Sequence, residues 1–287
     1  MIPAMSLTLS DNRYGAAGIR VLRVLRRGDR HEVRDLEVDI ALEGDFRATH
    51  LTGDNRAILR ADSMKNAVYA LAGRHGGGEV EEFALALTHH FVLEHDPVTA
   101  VTVTVREHRW ARISISGRPH DHAFSRGGEE RRVARVRRTR EAVVVEAGIE
   151  ALPLLKTKQA GFQGYLHDRY TTLEETGDRV LATMLEATWR YGWSEVPFGL
   201  HWQQVRQVIL GTFAEHDSRS AQHTLYAMAQ AALAQCPPIA EIRFRLAHRR
   251  HEPADLSAFG IENDNEVFVL AAEGQGVVEA VVRREDI

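Results

Sequence analysis

Fifteen histidines, one cysteine and a near-absence of lysine set the chemistry open to this chain of 287 residues. Metal ligation is the first question, because imidazole is the commonest metal ligand among side chains. His89-His90 and His120-Asp121-His122 are the best local candidates. Each supplies two histidine ligands, whereas a site requires three or four with supporting groups behind them. They read better as surface or strand-end histidines, and no metal is expected. The run Gly76-Gly77-Gly78 lacks both the lysine and the strand-to-helix setting of a phosphate loop. No nucleophile-elbow serine motif is present, and Cys236, followed by Pro237 and Pro238, reads as structural. Of the 36 Lys and Arg residues, all but Lys65, Lys156 and Lys158 are arginine, so few amines could act as a base. The segment from Lys156 to Tyr191 is different. It mixes apolar residues with Thr171, Thr172, Asp178 and Arg179 in a way that a plain strand pair does not require. Taken alone, Arg179 reads as pairing with Asp178 or Glu175.

The elements that must position these residues follow from periodicity. Leu36, Val38, Ile40 and Leu42 alternate as in a half-buried strand. The run Ile19 to Leu25, joined to them by a turn at Arg27-Gly28-Asp29, completes a long antiparallel hairpin. Asp62 and Ser63 read as N-cap residues for a helix through Val68, Tyr69 and Leu71, which stops at Gly76 to Gly78. Phe83, Leu87 and Phe91 mark a second helix. Val101, Val103 and Val105, then Ile113 and Ile115, read as two further strands. The second half repeats the order. Val143 and Val145 form one strand, Val180, Ala182 and Met184 another. Helices follow at Val205 to Phe213 and at Ser218 to Gln235, the latter stopped by Pro237-Pro238. Ile242, Phe244 and Leu246 alternate, and Val267 to Val269 opens a final strand pair. Gly127 to Arg140, the most polar stretch, reads as a solvated loop or strand edge. Two copies of ββααββ with a joint near Arg137 to Glu141 argue for α+β with antiparallel sheets, in domains 11–138 and 139–287. Such sheets leave edges that an oligomer closes.

Composition narrows the class. Hydrophobic residues at 44% and charged residues at 26% are those of a globular chain and exclude a disordered one. A net charge of −4 excludes a general nucleic-acid binder. A single cysteine excludes an internal disulfide framework and fits a reducing compartment. There is no run of 18 apolar residues to cross a membrane, and Met1 to Ser10 lacks the basic start of a signal peptide.

Beyond these readings, the chain resembles the urate oxidase (uricase) family from Asn12 to Val282. The resemblance rests on GDF (44–46) and GDN (53–55), DSMKN (62–66), PHDHAF (119–124) and YTTLEET with the following Asp178-Arg179 (170–179). TFAEHDSRSAQHTLYAM (212–228) and DLSAFG (255–260) complete it. It implies two tandem tunnelling-fold domains, four chains assembled as barrel-forming dimers, and active sites at subunit interfaces. It implies no cofactor or metal, with urate or a related purine and dioxygen as partners. Phe162 would stack on the flat ring, with Arg179 and Gln222 gripping its polar edges. Leu173 and Ala221 would form walls, and the backbone N–H of Asp62 would touch the ligand. This suits urate, a planar monoanion: a phenyl face contributes roughly 0.5–1.5 kcal/mol beyond area burial. A guanidinium offers two parallel donors, and a carboxamide offers a donor and an acceptor. Relatives in peroxisomes end in a small-basic-leucine tripeptide. This chain ends in Arg284-Glu285-Asp286-Ile287, so a cytoplasmic location is expected.

The departures fall on the chemistry. The family's relay lysine, directly after the RYG tripeptide, is Ala16 here, and its relay threonine is Ala61. The family's PNKH segment aligns with Ala247-His248-Arg249-Arg250, so the asparagine becomes His248 and the histidine Arg250, unless a one-residue shift brings His251 into that role. Three accounts follow. In the first, urate is oxidised through a rewired relay with His248 as the proton-transfer group. In the second, the pocket binds urate or a related purine with little or no turnover. In the third, a similar heterocycle undergoes different chemistry.

Overall fold

A computed structural model describes residues 7–271 and 276–285. Met1 to Ser6 and the terminal Asp286-Ile287 lie outside the described residues. The chain divides into two compact units. The first runs to Gly128 and takes in Arg132–Ala147; the second is Glu129–Arg131 with the chain from Gly148 onward.

The first unit opens with the anticipated hairpin, β1 (Arg13–Arg27) and β2 (Arg30–Gly44), antiparallel through Arg23↔Arg34 and Ile19↔Val38. A bulge between Ala16 and Ile19 shifts the register. Gly18 supplies the positive φ that this bulge requires and donates its N–H to Asp39 Oδ1 at 2.8 Å. A short helix α1 (Arg47–Thr52) buries none of its residues, which is why no apolar period marks it. Helix α2 (Ala61–His75) begins one residue earlier than Asp62, with Arg60 at its N-cap and no side-chain cap. Helix α3 (Val80–Leu93) starts in a capping box formed by Glu79 and Glu82.

Two expectations are corrected here. Val101 to Val105 and Ile113 to Ile115 belong to one strand, β3 (Val98–Ile115), whose period is interrupted by Arg106 to Arg112. The polar stretch Gly127 to Arg140 is not a loop but lies almost wholly within β4 (Arg118–Thr139), where Val133, Ala134 and Val136 are buried. Leu36, Val38, Ile40 and Leu42 of β2 are buried, as are Met64 and Val68 of α2 and Phe83, Leu87 and Phe91 of α3. Helix α2 packs on β1 and α3 on β3.

The second unit repeats the order. It uses β5 (Val143–Lys156), whose first residues fall in the first unit, and β6 (Leu181–Tyr191). Helices α4 (Phe198–Glu215) and α5 (Ala221–Gln235) follow, and then β7 (Ile239–His248). Strands β6 and β7 pair antiparallel through Leu185↔Leu246 and Trp189↔Ile242, and these side chains are buried with Val205, Ile209, Leu225 and Met228. The stretch Val267 to Val269 does not close this sheet. Instead β8 (His251–Pro253) and β9 (Phe268–Leu270) form a small ladder of their own, and β10 (Val277–Arg283) is the strand that pairs with β7. The fold is α+β, two tandem ββααββ units with antiparallel strands.

Candidate functional site

The site residues of the second unit are gathered by backbone pairing between segments far apart in sequence. Ser218, in the α4–α5 connection, donates its N–H to Gln159 O at 2.9 Å, and its carbonyl accepts from Gly161 N–H at 2.8 Å. Phe162 pairs with Thr176 by two hydrogen bonds of 2.8 and 3.2 Å. At Gly161 the approach is so close that a Cβ there would lie 2.9 Å from Gly177 O, which only glycine permits. Phe162, the run Thr176 to Arg179 and the first turn of α5 are thereby set side by side. Ser220 caps that turn by accepting the His223 N–H at 3.1 Å, which leaves Ala221 buried and Gln222 exposed.

The Arg179 guanidinium carbon sits 5.1 Å from the Phe162 ring centroid. Tyr165 stacks on Phe162 with centroids 4.9 Å apart, and His167 stacks on Tyr165 at 4.7 Å. The Tyr165 hydroxyl donates to Leu173 O at 2.6 Å, holding that residue with half its surface exposed. The acids that could have neutralised Arg179 are occupied elsewhere. Asp178 Oδ1 accepts the Ala160 N–H at 3.1 Å, and Glu175 pairs with His167 at 3.3 Å. Among the described residues Arg179 has no carboxylate partner, and its Nε is sequestered without an acceptor. Burial, and then the charge of Arg250, hold the Arg179 guanidinium below its ordinary pKa. A half-buried cation in this condition is incomplete without an anion.

His248 ends β7 opposite Thr183 and donates its backbone N–H to Gly276 O at 2.8 Å. Its imidazole pKa is lowered by burial and then by the Arg179 guanidinium, against a hydrogen bond to the Ala182 backbone that raises it. The ring is thus neutral near pH 7, with one nitrogen engaged by backbone and Arg179 close by. Arg250 is exposed and forms an ion pair with Glu252. His251 Nδ1 contacts Arg249 O at 2.8 Å.

The remaining positions lie in the first unit. Tyr14 Oη accepts the Leu59 N–H at 2.8 Å, tying the start of β1 to the residues leading into α2, so Ala16 and Ala61 fall at one end of that unit. Asp62 occupies the first turn of α2, whose N–H groups have no intrahelical acceptor, and its carboxylate pairs with Lys65 at 3.0 Å. Neither alanine offers a group that can move a proton.

No cluster of three or more His, Cys, Asp or Glu that could hold a metal occurs among the described residues. His120 and His122 pack edge to face at 4.6 Å, and His90 pairs with Glu94 at 2.9 Å. Cys236 is buried, and burial pushes its thiol pKa up to about 11, far from nucleophilic. Sequence reading missed Tyr165, His167, His216 and His223, all beside the site. The stacked rings sit in an irregular loop without period, and the two histidines are seven residues apart in a helix connection, so no local pattern marks them.

A tandem tunnelling-fold protein whose second unit presents an unpaired guanidinium over a phenyl ring is the class that this architecture defines. The uricase family model matches residues 12–137 and 145–279, and the chain belongs to that family. It is 42% identical over 279 residues to the uricase of Arthrobacter globiformis, covering 97% of this chain and 91% of that protein. It is 36% identical to the uricase of Dictyostelium discoideum, covering 96% and 98%. The crystal structure of the Arthrobacter globiformis uricase superimposes with a TM-score of 0.93 at 41% identity, covering 99% of this chain and 97% of that one. No described helix is long and apolar enough to cross a membrane.

Proposed function

We propose that this chain binds urate and oxidises it with dioxygen and water to 5-hydroxyisourate and hydrogen peroxide, as a cytoplasmic, cofactor-independent enzyme of purine breakdown. The observation that carries this reading is the half-buried Arg179 guanidinium, without a carboxylate and poised over Phe162. Family membership supports urate as the anion. Phe162 would stack on the ring, Arg179 and Gln222 would hold opposite edges, and Leu173 and Ala221 would wall the pocket. The Asp62 N–H would complete the grip from a neighbouring chain, in a homotetramer whose barrel-forming dimers put active sites at subunit interfaces. The division into domains 11–138 and 139–287 is supported by the two stretches that match the family model.

With Ala16 and Ala61 inert, His248 would take the proton from urate, directly or through water, since its ring is neutral at pH 7. Arg250, close enough to influence Arg179, would favour the more anionic ring that results. The electron-rich ring then passes two electrons to dioxygen, giving a hydroperoxide at C5. Water displaces that group, releasing hydrogen peroxide and leaving the hydroxyl on C5. Purified protein should bleach urate absorbance with one peroxide formed per urate. His248→Ala should lower turnover about 10²–10⁴-fold while retaining calorimetric binding. Because the His248 pKa lies below the ordinary 6.5, turnover should hold to slightly acidic pH and fall as pH drops through that lowered value.

The methyl groups at both relay positions favour a second reading, a purine-binding protein with little turnover. Urate binding without peroxide, together with strong activity created by Ala16→Lys plus Ala61→Thr, would establish it.

A further inference from the structure

The connection between α4 and α5 carries a histidine pair that neither grips nor reacts in the scheme above. His216 terminates α4, and His223 lies in the first turn of α5, directly after Gln222. Their rings are 4.4 Å apart, with His216 Nε2 and His223 Nδ1 at 3.2 Å. A hydrogen bond between two imidazoles needs one nitrogen to donate and the other to accept. It survives with one proton on the pair and fails when both rings are protonated, because no acceptor then remains.

This contact is placed where it governs the pocket. Lys156 Nζ, at the end of β5, donates to the carbonyls of His216 and Phe213 (the latter at 3.3 Å), which anchors the end of α4. Two residues on, buried Ser218 provides the backbone partner of Gln159 and Gly161. Its hydroxyl accepts from Thr224 Oγ1 at 2.6 Å. The segment 216–223 therefore supports both the bridged loop that presents Phe162 and the turn that presents Gln222, and the two rings close it from outside. The charged groups facing His216 are His223, Lys156 and Asp217: two of them oppose its protonation and Asp217 favours it. Burial, the largest influence, also acts against the cation.

We infer that His216 and His223 form a proton-operated staple that positions Gln222 and Phe162, so that affinity for the planar anion drops when the second ring takes up a proton. The inference rests on the urate-binding reading for its ligand, but the staple itself is read without one. Both residues are positioning residues: neither touches the ligand.

The test compares the full-length protein with His223→Asn and with His216→Gln, whose uncharged amides preserve a hydrogen bond and cannot be protonated. Calorimetric urate binding is measured from pH 5.5 to 8.5. Urate's own protonation enters all three profiles equally. At pH 8 the three proteins should bind within about twofold of one another. Toward pH 5.5 the natural protein should lose about tenfold more affinity than either variant, the scale of one pKa unit. Parallel profiles, or an equal loss in the variants at every pH, would overturn the inference. Amide hydrogen exchange over 159–162 and 216–224, corrected for intrinsic pH effects, gives a readout without ligand. Protection should drop in acid for the natural protein and not for the variants, and unchanged protection would overturn the inference. If the natural protein fails to bind urate at pH 8, the urate reading is what falls, and hydrogen exchange still decides the staple.

Discussion

Two arginines, one in each unit, are removed from water to different ends. Arg132 retains 7% of its side-chain exposure and is enclosed by carboxylates, with Glu79 and Glu81 both at 2.6 Å and Glu81 fully buried. Arg179 is half-buried and has a phenyl ring, a second guanidinium nearby and no acid. Satisfying the first charge within the chain makes it part of the packing; the second is left without an internal counter-charge among the described residues. The contrast is one of wiring, not of residue type. Burial alone does not separate the two arginines; the whereabouts of the neighbouring acids does.

The contrast can be broken at either end. Arg132→Met should be the most damaging change, lowering stability by about 3–5 kcal/mol in denaturant unfolding, because Glu81 is then buried without a counter-charge. Arg179→Gln should leave the unfolding midpoint unchanged or raise it, while weakening urate binding about 100-fold in calorimetry. A large loss of stability from Arg179→Gln would mean that its charge is compensated after all. Glu81 sharpens the comparison through pH. Burial pushes its pKa up from 4.5 to about 7, against the pull of Arg132. A raised carboxyl pKa means stabilisation that is complete below pH 4.5 and is lost as pH rises through 7. Glu81→Gln should therefore remove a decline of about 1–2 kcal/mol between pH 5 and 8, seen as a flatter profile of unfolding midpoint against pH. Phe162→Leu, which keeps an apolar wall but removes the aromatic face, should weaken urate binding by only about 0.5–1.5 kcal/mol.

Much of the fold is legible along the chain because the strands of β2, β3 and β7 bury alternate residues and both α3 and α5 carry an apolar stripe. Legibility fails where burial does not follow a period. β4 carries arginines and glutamates through most of its length, so only three buried apolar positions, Val133, Ala134 and Val136, betray it. Helix α1 buries nothing, and the closing strand β10 alternates without a single buried residue. The site is harder still. Phe162, Arg179 and Gln222 stand out only through family resemblance, since the pairings that gather them join residues 159–162 to 176 and 218, and no local window spans those distances. The departures expected at Ala16, Ala61, His248 and Arg250 likewise come from that resemblance and need no coordinates to be noticed. That burial and the nearby Arg179 hold the His248 pKa below its ordinary value could come only from structure.

One glycine carries a consequence for how this protein can diverge. With Gly161 pressed against the Gly177 carbonyl, the backbone beside Phe162 and the backbone leading to Arg179 approach more closely than any side chain at Gly161 would allow. Side chains around that close approach can be exchanged more freely than the two glycines that permit it. A side chain at Gly161 would part the segment carrying Phe162 from the run that leads to Arg179, so divergence here is confined to the residues around the contact.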